Sequence, residues 1–163
     1  MNRKNPTFPG AARYLEDIQV GDHFSTASYA MHTALIKAFA KEFDPQPFHL
    51  DEVAAQASLF GGLAASGWHT AAVTMKLLVT GNLNLAGGMI GTSVEVGWPT
   101  PTRADDILHV ESEVVAVETS RSRPDRGIVT LRSETLNQDG KVVQKMLAKV
   151  LVWRRSTIVN GDK

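Results

Sequence analysis

Residues 66–78, which read SGWHTAAVTMKLL, decide the fold of this chain. From residue 68 onward the segment is mostly apolar, shows no alternation with a period of two, and is rich in Ala, Leu and Met. This composition predicts a long buried helix and not a strand. Ser66 precedes the segment as a candidate N-cap, and the helix is expected to end near Gly81.

Four segments rich in Val, Ile, Leu, Thr and aromatic residues follow this helix, and each is a predicted strand. They cover residues 89–98, 107–119, 127–136 and 142–153. Turn-forming residues separate them, and residues 137–140 are typical of a hairpin turn.

The segment before the long helix has mixed structure. We expect a strand over 23–29, a helix capped by Thr33 and ending at Phe43, and a short helix over 51–59. Pro45 and Pro47 should end the first of these helices. The order of elements predicts an α+β fold, in which one antiparallel sheet wraps around the long central helix. An edge strand of that sheet would be exposed, which favours a homodimer and leaves higher assembly open.

The composition is that of one globular domain. The chain has 163 residues, 43% of them hydrophobic, with 17 basic and 17 acidic residues and no Cys. The balanced charge gives no basic surface for nucleic acid, and the lack of Cys excludes thiol catalysis, disulfides and thiolate metal sites. No apolar run approaches the ~20 residues that span a bilayer, so we expect no membrane association and a cytoplasmic protein. We expect a flexible lead-in over 1–12, the domain over 13–155 and a tail over 156–163.

The stretch from Phe43 to Asp51, with the sequence FDPQPFHLD, carries the candidate chemistry. It places a carboxylate, Asp44, and an imidazole, His49, five residues apart across a proline-stiffened turn. Such a pair sharing one water molecule is a general acid–base arrangement. The alternative is structural, with Asp44 starting a turn and His49 packing in the interior.

Residues 44–49, DPQPFH, resemble the Asp-x-Asn-Pro-x-His signature of the MaoC-like dehydratases, which are (R)-specific enoyl-CoA hydratases of the hotdog fold. Gly67 matches the glycine that opens that family's central helix, and residues 98–106, with Arg103, are similar to its entry into a middle strand. The resemblance spans about residues 14–153. This chain departs from the family at Gln46, which stands where Asn is usual, and at Ser66, which stands where His is common.

The resemblance implies a hydro-lyase that reversibly hydrates a trans-2-enoyl-CoA. Asp44 and His49 would activate water, and either could be the base. The backbone N–H of Gly67 would hold the thioester oxygen, because the first N–H groups of a helix are unpaired and lie at its positive end. The alternative for Gly67 is that it only relieves crowding at the start of the helix.

The remaining candidates concern substrate binding. The predicted pocket residues are Gln46, Pro47, Phe48, Ser66 and Trp68. Arg121 and Arg123, near Arg126, could bind the coenzyme A phosphates, but a solvated turn is the safer interpretation of this cluster. His69 is expected to be a packed helix histidine. We expect no catalytic metal and no cofactor other than the coenzyme A of the substrate.

Two other functions fit the same residues. A hotdog acyl-CoA thioesterase would use the helix-start glycine in the same way, with a carboxylate activating water. A non-catalytic acyl-CoA-binding subunit would keep the fold without turnover, although it would have no need of Asp44, His49 and Gly67 together.

Overall fold

The computed structural model describes residues 11–155. Its six strands form one antiparallel sheet in the order β1-β4-β5-β6-β3, and β2 also pairs with β4. The strands are β1 (His23–Ser25), β2 (Tyr29–Ala30), β3 (Ile90–Gly97), β4 (Ile107–Thr119), β5 (Arg126–Leu136) and β6 (Val142–Trp153). The helices are α1 (Thr33–Phe43), α2 (Pro47–Leu50), α3 (Glu52–Gln56) and α4 (Gly67–Thr80). The predicted α+β architecture is confirmed.

The long helix α4 packs on the inner face of the sheet. Val73, Leu77 and Leu78 are buried in one core cluster with residues of β4, β5 and β6. The Ser66 hydroxyl accepts a hydrogen bond from the Trp68 N–H at 3.2 Å, so the predicted N-cap is confirmed. The helix runs to Thr80, just before the predicted limit at Gly81.

The four long strands follow the predicted segments closely. The bounds of β4 and β6 are those predicted, β3 is one residue shorter than predicted at each end, and β5 begins one residue earlier. The predicted hairpin turn closes where the Gly140 N–H donates to the Asn137 carbonyl, with Gly140 at φ +72°. A positive φ is accessible to glycine without a Cβ penalty.

The first predicted strand, 23–29, is divided in the structure. Both β1 and β2 pair with β4, but residues 26–28 lie between them. The Thr26 hydroxyl accepts from the Val110 N–H at 2.9 Å, so a side chain takes a position that a backbone carbonyl would hold in a continuous ladder. This side-chain bond competes with the strand.

Two helix predictions are corrected. Thr33 is the first residue of α1, and the N-cap position belongs to His32, which makes no side-chain capping bond. The short helix predicted over 51–59 covers only Glu52–Gln56, after an N-cap in which Asp51 accepts from the Ala54 N–H.

Pro47 has a second role that the sequence reasoning missed. The first helix ends at Phe43 as predicted, but Pro47 also begins α2 at its first position. Proline suits that position because its missing N–H would have no partner in the first turn and its fixed φ is already helical.

The strand β3 forms one end of the sheet and pairs only with β6 within residues 11–155. Its Ile90 and Val94 are 43% and 58% exposed. The edge strand β3 is therefore open to solvent, as predicted, and carries two exposed apolar side chains. None of the helices in this described part has the length and apolar character needed to cross a membrane. The predicted tail, and residues 1–10 of the predicted lead-in, lie outside it.

Candidate active site

A cavity of about 530 Å³ opens at the N-terminal end of α4. One wall is formed by Asp44, Gln46, Phe48 and His49, from the end of α1 into α2, and the opposite wall by residues 98–103, before β4. Asp44, His49 and Gly67 all line it. The fold thus brings the three candidate residues to one space.

Asp44 and His49 face each other across the turn between α1 and α2. Asp44 Oδ2 lies 3.3 Å from His49 Nε2. Asp44 is fixed as the C-cap of α1, where its N–H donates to the Ala40 carbonyl at 2.9 Å. His49 is the third residue of α2 and only 4% exposed. The structural elements on each side therefore hold the pair in place.

The second ring nitrogen of His49 determines the tautomer. Nδ1 lies 2.7 Å from the Ala64 carbonyl oxygen. A carbonyl can only accept, so Nδ1 carries the proton in the neutral ring and Nε2 presents its lone pair toward Asp44. Two acceptors then lie side by side, and a water molecule on the cavity side of the pair can donate one O–H to each.

Three side chains act on the Asp44 carboxylate. Burial by itself acts to raise the pKa of Asp44, but hydrogen bonds from Ser66 and Gln46, together with the charge that His49 carries when it is protonated, outweigh it and hold the pKa below its usual value. The Gln46 Nε2 donates to Asp44 Oδ1 at 2.7 Å. The environment therefore keeps this carboxylate ionised near neutral pH.

Ser66 connects this carboxylate to the start of α4. Its side chain is fully buried. Its oxygen accepts from the Trp68 N–H, and its hydroxyl hydrogen bonds to Asp44. The bond from Trp68 uses a lone pair of the oxygen, so the hydroxyl proton is still available to donate to Asp44. Ser66 thus fixes Asp44 relative to the first turn of α4.

Gly67 combines an unpaired N–H with close packing. Within residues 11–155 its N–H, in the first turn of α4, has no acceptor. A Cβ at this position would lie 2.8 Å from the indole atoms Cδ2 and Cε2 of Trp98. The glycine therefore lets Trp98 pack against the start of the helix, which supports the alternative that Gly67 relieves crowding there. The same residue still has an N–H without an acceptor, which a ligand could use.

The other predicted pocket residues take different positions. Gln46, Phe48 and Trp68 line the cavity, and Trp68 is 61% exposed. Pro47 begins α2, and Ser66 lies behind Asp44; neither side chain is part of the cavity wall.

Arg121 and Arg123 lie in the exposed β4–β5 turn, away from the cavity of their own chain. The cavity wall at Arg103 precedes β4, whereas the turn follows its 13 residues. A strand of that length extends roughly 40 Å. Only a second copy of the chain could bring these two arginines to the cavity, so their phosphate role stays a prediction.

His69 packs in the interior. It is 7% exposed and stacks on Phe39, with ring centroids 4.7 Å apart. Burial lowers the pKa of His69, so the ring is neutral near neutral pH.

Sequence reasoning missed several cavity residues, above all Trp98 and Arg103. The Trp98 indole packs on Gly67, and its Nε1 donates to Gln144 Oε1 at 2.9 Å. Both lie in residues 98–106, the segment that resembles the family's entry into a middle strand and for which the sequence predicts no site role. Its Trp-Pro-Thr-Pro-Thr-Arg sequence, rigid and placed before a strand, was the available signal.

Within residues 11–155 no group of three or more His, Asp or Glu residues could hold a metal ion.

Comparison with known proteins identifies the family. The protein-family model described as "MaoC like domain" matches residues 17–136, which is more than half of the chain. The chain therefore belongs to the MaoC-like domain family, and its fold is the hotdog fold.

Relatives and solved structures agree with this assignment. A MaoC-like dehydratase from Rhodospirillum rubrum is 63% identical, with a TM-score of 0.87 over 88% of this chain and 99% of that one. The (R)-hydratase from A. caviae is 26% identical, with a TM-score of 0.68 over 83% and 97% of the two chains. The Bacillus subtilis (strain 168) protein YdeM is 32% identical over 141 residues, which are 86% of this chain and 99% of YdeM. These similarities support a hydratase or dehydratase type of activity.

Proposed function

We propose that this protein reversibly hydrates a trans-2-enoyl-CoA to an (R)-3-hydroxyacyl-CoA. The observation that carries the proposal is the 3.3 Å approach of Asp44 Oδ2 to His49 Nε2 inside a cavity that is also lined by Gly67, in the first turn of α4. This arrangement supplies two acceptors for a water molecule and one donor for a developing negative charge. The (R) configuration and the coenzyme A carrier are taken from the family resemblance.

Water is activated by the Asp44–His49 pair. One O–H of the water points to the ionised Asp44 and the other to the His49 Nε2 lone pair. One O–H bond breaks as the water oxygen bonds to C3 of the enoyl thioester, and the proton moves to the pair. The same pair then returns a proton to C2 on the same face of the substrate. Because the two groups are in contact, we assign the proton to the pair and not to one residue alone.

The electron pair displaced from the double bond moves to the thioester oxygen as an enolate. The Gly67 N–H lies in the first turn of α4, where the helix dipole favours negative charge. A donor held in this way stabilises the developing charge, and losing one typically costs about 3 kcal/mol of transition-state stabilisation. Water is the only co-reactant, so the reaction needs no further cofactor.

We also propose a homodimer in which the β3 strands of two copies pair. The open edge and the exposed Ile90 and Val94 support this pairing. A two-fold axis makes the paired edge strands antiparallel, which would bring the partner's end of the sheet at Arg126 and Trp153 beside Gly97 and the cavity. Arg121 and Arg123 of one copy would then be available to the coenzyme A phosphates bound in the other.

The test is the loss of enoyl absorbance when purified protein is mixed with crotonyl-CoA, and then with longer, branched and dicarboxylic enoyl thioesters. Hydration predicts rapid loss without release of free thiol, formation of the (R) product on chiral analysis, and no loss with Asp44→Asn. Thiol release would instead establish the thioesterase. Binding of every acyl-CoA without turnover would establish the non-catalytic subunit.

A further inference from the structure

We propose that Arg103 is a positioning residue for His49, acting through the backbone carbonyls of residues 60–64. The chemical role of His49 in this inference rests on the proposed hydration. The positioning itself is a structural claim that can be tested without substrate.

The Arg103 guanidinium binds three carbonyl oxygens of one loop. One terminal nitrogen donates to the carbonyls of Gly62 at 2.7 Å and Leu63 at 3.1 Å. The other donates to the carbonyl of Phe60. A planar guanidinium with several donors in fixed directions can bind three acceptors at once, whereas a lysine ammonium is a point charge on a flexible stem.

The loop is shaped for this contact. Gly61 and Gly62 have φ values of +58° and +153°. Glycine adopts such values without steric cost, and they allow carbonyls from both sides of the pair to reach one guanidinium. A Cβ on Gly62 would lie 3.6 Å from an Arg103 terminal nitrogen.

The next carbonyl along the chain orients His49. Leu63, held by Arg103, precedes Ala64, whose carbonyl oxygen lies 2.7 Å from His49 Nδ1. The Ala65 N–H donates to the Thr102 carbonyl at 2.8 Å, so the loop is bound to residues 102–103 on both sides of Ala64. The Arg103 side chain therefore fixes the group that sets the tautomer and direction of the His49 ring.

The Arg103 guanidinium has no carboxylate partner in the part of the chain that the structure describes. Among residues 11–155 it forms no ion pair. Asp106 accepts from the Arg103 backbone N–H at 2.8 Å, and its other oxygen accepts from the Asn137 amide at 3.2 Å. The hydrogen bonds seen for the guanidinium go to the loop, which is the pattern of a residue that holds a backbone in place.

Because Arg103 also lines the cavity, a different role is possible for the same residue, namely direct binding of a substrate anion. The two roles differ in their kinetic effect. Loss of a substrate contact raises KM, whereas displacement of His49 lowers kcat, since misplacement of a reacting group by about 1 Å can cost about 100-fold in rate.

The experiment uses Arg103→Lys and Arg103→Gln, with Arg132→Lys as the matched control. Arg132 is an exposed arginine on β5 whose side chain pairs with Glu113. The first readout is the proton NMR signal of the His49 Nδ1–H, which is buried and hydrogen bonded and should exchange slowly with solvent. The second is the separation of kcat from KM, normalised to the folded fraction from circular dichroism.

We expect both Arg103 variants to lose or broaden the His49 signal and to lose about 10- to 100-fold in kcat at nearly constant KM, while the control matches wild type. A signal and kcat unchanged in both variants would overturn the proposal, and so would a rise in KM alone, which would assign Arg103 to substrate binding. If the wild type hydrates no enoyl thioester but the signal still depends on Arg103, the proposed function fails and the positioning stands.

Discussion

His49 Nδ1 lies 2.7 Å from the carbonyl oxygen of Ala64, and this contact decides what the ring presents to the cavity. The nitrogen that faces Asp44, at 3.3 Å from its Oδ2, has a lone pair in the neutral ring. Both groups then accept hydrogen bonds, and each needs the same kind of partner. The relationship between His49 and Ala64 is therefore what makes the pair suited to hold water.

Replacing either member of the pair should remove most of the activity without unfolding the protein. We expect Asp44→Asn and His49→Gln each to lower kcat about 10²- to 10⁴-fold, the usual contribution of general acid–base catalysis. The double variant should be little worse than the single ones, because groups that act as a unit are not additive. Enoyl absorbance assays give the rates.

His109→Gln is the control for this prediction. His109 is a partly exposed histidine on β4, 3.9 Å from Glu111, and does not line the cavity. It should keep wild-type activity. Near-normal turnover by either Asp44→Asn or His49→Gln would contradict the mechanism.

Removing the Ser66 hydroxyl should change both stability and pH dependence. Ser66→Ala removes the N-cap of α4, which typically costs about 1 kcal/mol, and one hydrogen bond to Asp44, so the pKa of Asp44 should rise. The acidic limb of the kcat/KM profile should move to higher pH, because the carboxylate must be ionised to act.

The sign for stability follows from the same shift in pKa. The pKa of Asp44 is lowered by folding, so its contribution to stability is present above the unfolded pKa and is lost as the pH falls through the folded pKa. In Ser66→Ala this contribution should be smaller. Urea unfolding measured from acidic to neutral pH gives the comparison.

Asp51→Ala is the matched control for the loss of a helix N-cap. It removes the N-cap of α3, whose acceptor contact is with the Ala54 N–H, and Asp51 does not contribute to the pKa shift of Asp44. It should lose stability without moving the acidic limb. An unshifted limb in Ser66→Ala would show that Ser66 has no effect on the active carboxylate.

The parts of the fold that the sequence predicted are those set by long local patterns. The bounds of β4 and β6 follow from runs of 13 and 12 residues with strand composition, and α4 follows from an apolar segment with a capping serine. The four-residue helix α2 was missed because it is too short to show a period.

The candidate site was predicted where its residues are close in sequence and missed where they are not. Asp44 and His49 lie in one motif, so the sequence alone brought them together. Trp98 and Arg103 act on Gly67 and on the loop at 60–63 across more than 30 residues. Contacts of this range depend on how α4 meets the sheet, and local composition does not contain them.

Adding a methyl group at Gly67 should be costly because of Trp98. The Cβ would lie 2.8 Å from the indole, and overpacking typically costs 1–3 kcal/mol, so we expect Gly67→Ala to lose about 2 kcal/mol of stability and much of its activity. Combining it with Trp98→Leu should make room for the methyl group and recover part of both, because the N–H itself is kept.

Gly97→Ala is the control for this cycle. Among the described residues of its own subunit, a Cβ at Gly97 would meet nothing within 4 Å, so the substitution should leave the stability of the subunit and the rate nearly unchanged. Thermal unfolding and kcat/KM of the wild type, the two single variants Gly67→Ala and Trp98→Leu, and the double variant give the coupling between Gly67 and Trp98. Strictly additive losses would mean that the indole is not what requires glycine here.

The two arginines of the β4–β5 turn test whether the sites are shared between subunits. Arg121→Ala with Arg123→Ala should raise KM for an enoyl-CoA, and the effect should weaken as salt is added, because exposed charges are screened. KM for an enoyl N-acetylcysteamine thioester, which lacks the nucleotide phosphates, should not change. Arg132→Ala serves as the control for loss of an exposed positive charge.

Mixing the Arg121→Ala, Arg123→Ala double variant with Asp44→Asn should yield heterodimers. One cavity of each heterodimer then has an intact Asp44 and intact arginines from the partner, and that cavity should show the wild-type KM. If the double variant alone has a wild-type KM for the coenzyme A thioester, the turn is a solvated surface and contributes nothing to binding.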